Sequence, residues 1–324
     1  MSTPPLHSCL AGPLQRFVEL RRLAGTDYHS QAQLLGYFDR FLDEQGVTEP
    51  RITRELTDAY QQSLGHLRPR TRDNRCSVVR QFCEYLSRTD PACYVPERQR
   101  GTRSPDARPR HIYSVTEVQS LLAAAAQLPP ANSLRPHTYR TLLGLLYSTG
   151  LRIGEAFALN VEDFHDDESC LYIAQGKFRK ARWVPLSDSA CQALRQYVQR
   201  RQRIGPATPD SPLLVNLRSR RLRHPTVYHT FRHLLAECGI PHARDTGPRI
   251  HDFRHAFAVH RLLAWYRDGQ DVNARLPWLA TYLGHVDIQS TQVYLHATAE
   301  LLAEVDRRFY HHYVRHVKSP GEPA

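Results

Sequence analysis

Lysine is almost missing from this chain. Only Lys177, Lys180 and Lys318 represent it among 43 basic residues, and all the others are arginines. A chain so committed to arginine makes each retained lysine worth explaining. Cysteine is sparse and unpatterned. Cys9, Cys76, Cys83, Cys93, Cys170, Cys191 and Cys238 are odd in number, and no two are spaced C-x-x-C. That argues against a disulfide framework and against a zinc knuckle, and reduced thiols of a cytosolic protein are expected instead. No run of about 18 apolar residues occurs, so no membrane span is expected. Met1 to Leu10 lack a basic stretch followed by an apolar core, and no secretion signal is expected. Internal repeats and low-complexity tracts are also lacking.

What is present is a basic chain whose length suits two domains. It has 324 residues, 41% of them apolar, enough for sizeable cores. Its formal charge is +11. An excess of that sign concentrates polyanions and favours nucleic acid as a partner; a cytoplasmic, nucleoid-associated location is the expectation if nucleic acid is that partner. The same excess fits a merely basic soluble protein, and composition alone does not separate the two.

The pattern is mainly helical. Residues 12–94 are expected to form a small four-helix unit. Leu14, Phe17 and Val18 begin one amphipathic helix, stopped at Gly25. Leu34, Leu35, Phe38, Phe41 and Leu42 mark a second, with Ser30 as candidate N-cap and Gly46 past its end. Leu56, Tyr60 and Leu64 mark a third, capped by Thr53, and Val78, Val79, Phe82 and Leu86 a fourth, from Thr71 to Ser87. The fourth and its approach carry Arg68, Arg70, Arg72, Arg75 and Arg80 against one acid, Asp73. On a helix face these arginines make either a phosphate-contacting stripe or a solvated charged surface. Residues 95–111 are expected to be a linker, because Pro96, Pro105 and Pro109 exclude a helix. Its Arg98, Arg100, Arg103, Arg108 and Arg110 suit a tether along a nucleic-acid backbone or a plain flexible connection.

Residues 112–324 are expected to form a second, mixed α+β domain. Ser114-Val115-Thr116-Glu117 is a capping box. Helical periodicity then continues through Leu142, Leu143, Leu145 and Leu146 to Gly150. Leu171–Ala174 and Ala181–Pro185, around a turn at Gln175-Gly176, predict a small antiparallel hairpin. Ser187 caps a helix ending at Gly205, and further helices are expected over 226–238, 251–267 and 287–312.

Cutting a phosphodiester without metal needs a nucleophile, rigid cations for the non-bridging oxygens and an acid for the leaving oxygen. Arginine supplies a planar fork matched to phosphate. Arg152 lies where one helix ends at Gly150 and another begins, with Glu155 placed to orient it; the alternative is an ordinary helix-terminal arginine. His251, Arg254 and His255, at i, i+3 and i+4, share a helical face. His251 and His255 also have a metal-ligand spacing, but the glutamate of H-E-x-x-H is missing and Arg254 would repel a cation there. Arginine holds its proton too tightly to act as an acid, whereas lysine can be tuned to release one. Two of the few lysines, Lys177 and Lys180, fall in one hairpin tip. Tyr294 follows His285 by nine residues and completes the set. A phenol ordinarily keeps its proton to about pH 10, so it needs neighbouring cations and a base.

Four blocks in order carry a resemblance. They are Thr149-Gly150-Leu151-Arg152-Ile153-Gly154-Glu155, Gly176-Lys177 with Arg182-Trp183-Val184-Pro185-Leu186, His251-Asp252-Phe253-Arg254-His255-Ala256-Phe257-Ala258, and Leu283-Gly284-His285 with Ser290-Thr291 and Tyr294-Leu295-His296. Together they resemble the tyrosine recombinases, or phage integrases. The resemblance implies an N-terminal, SAM-like core-binding domain and a catalytic domain closing around double-stranded DNA. It implies that Tyr294 attacks the phosphate to give a 3′-phosphotyrosine. Arg152 and Arg254 would clamp that phosphate, His251 and His285 would assist, and Lys177 would protonate the leaving 5′-oxygen. His255 and Glu155 would support the site. No metal, ATP or other cofactor would be required. Phe178 stands where such hairpins carry a second glycine, which keeps Lys180 open as the acid. The expected assembly is a homo-tetramer on paired sites, with other recombinases or accessory proteins as further partners. A tail with Leu301, Leu302, Val305, Phe309 and Tyr313 at helical spacing would dock on a neighbouring subunit or on its own domain. Two alternatives stand beside this reading. One is a type IB topoisomerase-like enzyme using the same chemistry, and the other is a non-catalytic DNA-binding protein.

Overall fold

The computed structural model describes residues 5–98, 110–174, 181–205, 207–243, 247–285, 287–296 and 301–307. Lys177, Phe178, Lys180, Lys318, Arg100, Arg103, Arg108, Phe309 and Tyr313 lie outside them. The chain divides into two compact units, Met1–Ala107 and Arg108–Ala324. Among the described residues no helix is long and apolar enough to cross a membrane.

In the first unit, α1 (Ala11–Leu23), α2 (His29–Glu44), α3 (Arg54–Ser63) and α4 (Pro69–Leu86) enclose one core. Leu14, Phe17, Phe38, Leu42, Tyr60, Val79 and Phe82 meet there. The Thr53 hydroxyl caps α3 by accepting from the Leu56 N–H at 3.3 Å. Ser30 does not cap α2. The N-cap is Tyr28, held in the left-handed region at φ 45° with its ring edge-on to Phe17. Aromatic packing, which no local capping pattern reveals, sets that start. α4 begins two residues before the expected Thr71 because Pro69 takes the first helical position, where a missing N–H costs nothing.

The second unit opens on the Ser114 capping box. The Ser114 N–H donates to Glu117 at 2.7 Å, and the Glu117 N–H donates to the Ser114 hydroxyl at 3.1 Å. Its elements are α5 (Val115–Ala126), α6 (Arg135–Thr149), α7 (Ile153–Ala158), β1 (Phe164–His165), β2 (Cys170–Ile173), β3 (Arg182–Pro185), α8 (Asp188–Ile204), α9 (His224–Glu237), α10 (Asp252–Arg267), α11 (Val272–Leu283) and α12 (Gln289–Gln292). The periodicity from Val118 to Leu146 is therefore two helices, divided around Pro129 and Pro130. The hairpin gains a third strand, β1, giving an antiparallel sheet in the order β1-β2-β3. Its register pairs Leu171 with Val184 and Ile173 with Arg182, so Leu171, Ile173 and Val184 enter the core. Ser187 caps α8.

Helix α10 packs across α6 and against α11. Every residue from Asp252 to Val259 is buried, so its first two turns lack a solvent face. A helix buried all round shows no amphipathic stripe, and its polar residues must find partners inside the protein. Helix α11 falls in a region where no element was expected. It contains Pro277 and still buries Leu276, Leu279 and Leu283 against α10. The single helix expected over 287–312 is instead the one-turn α12, a 3₁₀ turn over Val293–His296 that carries Tyr294, and a helical stretch at 301–307.

Gly150 ends α6 at φ 62°, and a Cβ there would lie 2.6 Å from Phe257 and 2.8 Å from Leu283. Gly150→Ala is expected to destabilise the second unit by roughly 2 kcal/mol, through overpacking and left-handed strain. All 3 tryptophans, Trp183, Trp265 and Trp278, belong to this unit, so their fluorescence in urea reads it alone. An unchanged midpoint would show that the α6 terminus yields without cost.

Candidate active site

Two helix ends organise the site. α6 and α11 each terminate at a glycine in the left-handed region, Gly150 and Gly284. The last carbonyls of a helix lack intrahelical partners and carry partial negative charge. Here arginines satisfy them. Arg254, only 2% exposed, donates from Nη1 to the Gly150 carbonyl at 2.8 Å and from Nη2 to the Leu283 carbonyl at 2.6 Å. Arg152 donates from Nη2 to the next carbonyl, Gly284, at 3.1 Å. Two arginines 102 residues apart in number thus grip consecutive carbonyls of the turn that leads into His285.

Glu155 sets the first arginine. Its carboxylate accepts from the Arg152 backbone N–H at 2.9 Å and from Nη1 at 2.8 Å. Arg182 of β3 forks onto the same carboxylate at 3.1 and 2.8 Å and donates from Nε to the Tyr282 carbonyl at 3.0 Å. Burial pushes the Glu155 carboxyl up, but hydrogen bonds and charge from Arg182 and Arg152 outweigh it and hold the pKa below the usual carboxylate value. A Cβ at Gly284 would meet the Arg182 guanidinium at 2.9 Å, so glycine is needed there for space as well as for its φ of 66°. Sequence reasoning assigned Arg182 no role. The available signal was its alternation with Val184: a cation on the apolar face of a strand needs an internal partner.

The remaining groups gather around Tyr294. Its side chain is 3% exposed and its hydroxyl lies 3.2 Å from His255 Nδ1. Its ring stacks on His285 with centroids 6.2 Å apart. His285 Nδ1 is 2.7 Å from the hydroxyl of Thr291, which belongs to the same sequence block as Tyr294 but to which sequence reasoning assigned no role. His251, the N-cap of α10, keeps an exposed outer face and stands edge-on to His255 at 5.1 Å. All three imidazoles are depressed. Burial and then the charge of Arg254 lower His251. Burial, then His251 and the arginines around it, take His255 down to about 3. Burial, then Arg254 and Arg152, take His285 to about 4. All three are therefore neutral near pH 7. Arg254 is itself lowered to about 10 by burial and by Arg152.

Among the described residues no group of three or more His, Cys, Asp or Glu side chains converges as a metal site. Arg110 is exposed in the second unit. In the first unit Arg68 and Arg70 are exposed at the start of α4 and Arg72 is half-buried. Arg75 covers the Tyr37 ring at 4.4 Å. Arg80 donates to the Pro96 carbonyl at 2.8 Å and pairs with Glu84 at 2.6 Å. Arg75 and Arg80 thus have partners within their own unit.

Residues 113–300 match the family model for the phage integrase family. The chain belongs to the phage integrase family. Its members are tyrosine-type site-specific DNA recombinases. The y4rB protein of Sinorhizobium fredii, which bears the name integrase/recombinase, is 37% identical over 300 residues, covering 91% of this chain and 95% of that one. Tyrosine recombinase XerD of Caulobacter vibrioides is 34% identical over 275 residues, covering 82% and 84%. A solved structure of the site-specific recombinase XerH bound to palindromic difH substrate has the same fold, with a TM-score of 0.65 at 20% identity over 90% of this chain and 83% of that one. The matched segment holds Arg152, Arg182, Arg254, His285 and Tyr294.

Two outcomes test the site's electrostatics. His255 and His285 refuse protons that the unfolded chain binds below about pH 6.5. The second unit should therefore lose stability progressively as pH falls from about 6.5 toward 4, with His285→Gln flattening part of that slope. Tryptophan-detected urea midpoints at several pH values check this, and a flat profile would contradict it. Arg182→Ala strips one cation from a buried carboxylate and should cost about 3 kcal/mol or more by the same measurement. A loss near that of an exposed arginine would mean that Glu155 is satisfied by Arg152 alone.

Proposed function

We propose that this chain breaks and rejoins double-stranded DNA at specific sites through a covalent 3′-phosphotyrosine on Tyr294, without metal and without ATP. The observation that carries this reading is the grip of Arg152 and Arg254 on the Gly284 and Leu283 carbonyls, beside the His285 ring on which Tyr294 stacks. In this mechanism the two guanidiniums hold the non-bridging oxygens of the scissile phosphate, and His251 and His285 donate to the same oxygens as neutral imidazoles. Preorganised donors of this kind stabilise developing charge without reorganising during the reaction. Lys177 gives the departing 5′-oxygen its proton. The phosphotyrosine conserves the energy of the broken bond, so resealing by a second 5′-hydroxyl needs no other source.

The domain reading follows. Residues 12–94 serve as the core-binding domain, 95–111 as an arginine-rich tether on the DNA backbone, and 112–324 as the catalytic domain. Arg68, Arg70 and Arg72 at the start of α4, with Arg103, Arg108 and Arg110 of the tether, contact phosphates. Arg75 and Arg80 contribute mainly through their internal partners. The working form is a homo-tetramer on two paired sites in the cytoplasm, on the nucleoid.

A duplex library with a randomised core, nicked near its centre to trap intermediates, supplies a substrate. Covalent protein–DNA adducts isolated under denaturing conditions and sequenced give the site. Tyr294→Phe is expected to abolish the adduct, and an adduct formed by that variant would refute the assignment. Lys177→Ala should slow cleavage about 100-fold or more. A substrate with sulfur at the bridging 5′-position should restore the rate, because a thiolate leaves without protonation. If sulfur rescues Lys180→Ala instead, the acid lies three residues further on.

A further inference from the structure

Tyr294 and Asp252 face the two different ring nitrogens of His255. The Tyr294 hydroxyl meets His255 Nδ1 at 3.2 Å. The opposite ring nitrogen, Nε2, lies 3.8 Å from Oδ1 of Asp252. Asp252 is 1% exposed and is fixed by Arg249, whose backbone N–H and Nη2 donate to it at 2.9 and 3.0 Å. At 3.8 Å the carboxylate makes no hydrogen bond to the ring and acts on it through its charge. In so buried a setting it still favours the tautomer with the proton on Nε2, leaving Nδ1 as an acceptor, and it stabilises an imidazolium once formed. A hydroxyl, a base and a third group that orients the base is the constellation that activates a weak nucleophile.

We propose that His255, oriented by Asp252, is the catalytic base that removes the phenolic proton of Tyr294 as its oxygen attacks phosphorus. This rests on the reading of Tyr294 as the nucleophile. In the forward step the Tyr294 O–H bond breaks and its proton passes to His255 Nδ1. The phenolic oxygen bonds to phosphorus, the bond from phosphorus to the 5′-oxygen breaks, and that oxygen takes a proton from the Lys177 ammonium. Resealing reverses each transfer, and no oxidant or reductant enters.

The surroundings of His255 explain how such a base stays idle until DNA arrives. His251, Asp252 and Arg254 face it from its own helical segment. Arg249 and Arg110 face it from the segments packed alongside, and Tyr294 faces it from the 3₁₀ turn with His285 stacked beyond. Apart from Asp252, the permanent charges are positive, and with burial they hold the imidazole neutral. A phosphodiester bound by Arg152, Arg254 and His251 brings negative charge into that field. It offsets the cations and raises the proton affinity of His255 when the phenol must be ionised.

The test uses the full chain and nicked duplexes carrying the site recovered from the library, and reads the single-turnover rate of adduct formation. His255→Gln keeps an acceptor but cannot take up a proton. It should slow adduct formation about 100-fold near neutral pH, with duplex binding unchanged. The deficit should shrink as pH rises toward about 9.5, where hydroxide replaces the base. It should also shrink when Tyr294 is replaced by a ring-fluorinated tyrosine of more acidic phenol. Asp252→Asn should give a smaller loss with the same pH rescue. A wild-type rate in His255→Gln, or a deficit that neither pH nor fluorination changes, would reduce His255 to a packing role. If His255→Gln does not fold, wild-type protein carrying the fluorinated tyrosine decides: a rate–pH profile that shifts with phenol acidity overturns the base. Failure of the underlying reading has a separate signature, an adduct in Tyr294→Phe with His255 intact.

Discussion

The buried guanidinium of Arg254 holds the second unit's site in one piece. It spans the carbonyl ends of α6 and α11 and ties the two helix termini together. A helix end leaves carbonyls without partners, and a buried arginine leaves donors without partners. Each solves the other's problem. Remove the cation, and two sets of polar groups are stranded in the core at once. Gly150 and Gly284 turn left-handed where space is short: a Cβ at Gly150 would strike Phe257 and Leu283, and one at Gly284 the Arg182 guanidinium.

From that clamp the electrostatics of the site follow. Arg152, Arg182 and Arg254 crowd a small volume, with the buried carboxylate of Glu155 between the first two. The excess positive charge, added to burial, strips the nearby histidines of their protons. The resting site is therefore cationic through its arginines and neutral through its imidazoles. That suits a phosphodiester, a monoanion that two planar forks can hold while neutral rings donate single hydrogen bonds. The imidazoles remain available as acceptors, and the buried contact between Tyr294 and His255 uses one of them.

Local chemistry made much of the fold legible. Thr53, Ser114 and Ser187 start helices through hydrogen bonds to residues three positions on, and such bonds are written in adjacent letters. The hairpin strands were visible from alternation. Less visible were features decided by distant partners. Tyr28 displaces Ser30 as the cap of α2 because Phe17 packs on its ring. Helix α11 was obscured by Pro277, whose cost is borne by the burial of Leu276, Leu279 and Leu283. The turn carrying Tyr294 is 3₁₀ rather than part of a long helix, and periodicity alone does not announce that change.

The candidate site divides along the same line. Residue types and spacings alone brought out Arg152, Glu155, His251, Arg254, His285 and Tyr294, because a phosphate-binding arginine, an imidazole and a phenol advertise their chemistry by type. The scarcity of lysine singled out Lys177 and Lys180 together, without deciding between them. What each side chain touches was decided only by tertiary structure. Arg182 joins β3 to Glu155 and to the end of α11, across separations in sequence that no motif encodes. The physical reason is reach. Side-chain chemistry is a property of one residue and a helix cap of four. A buried charge is defined by whichever residues the fold places within a few ångströms of it, and for Arg254 those are Gly150 and Leu283, separated from it by 104 and 29 positions.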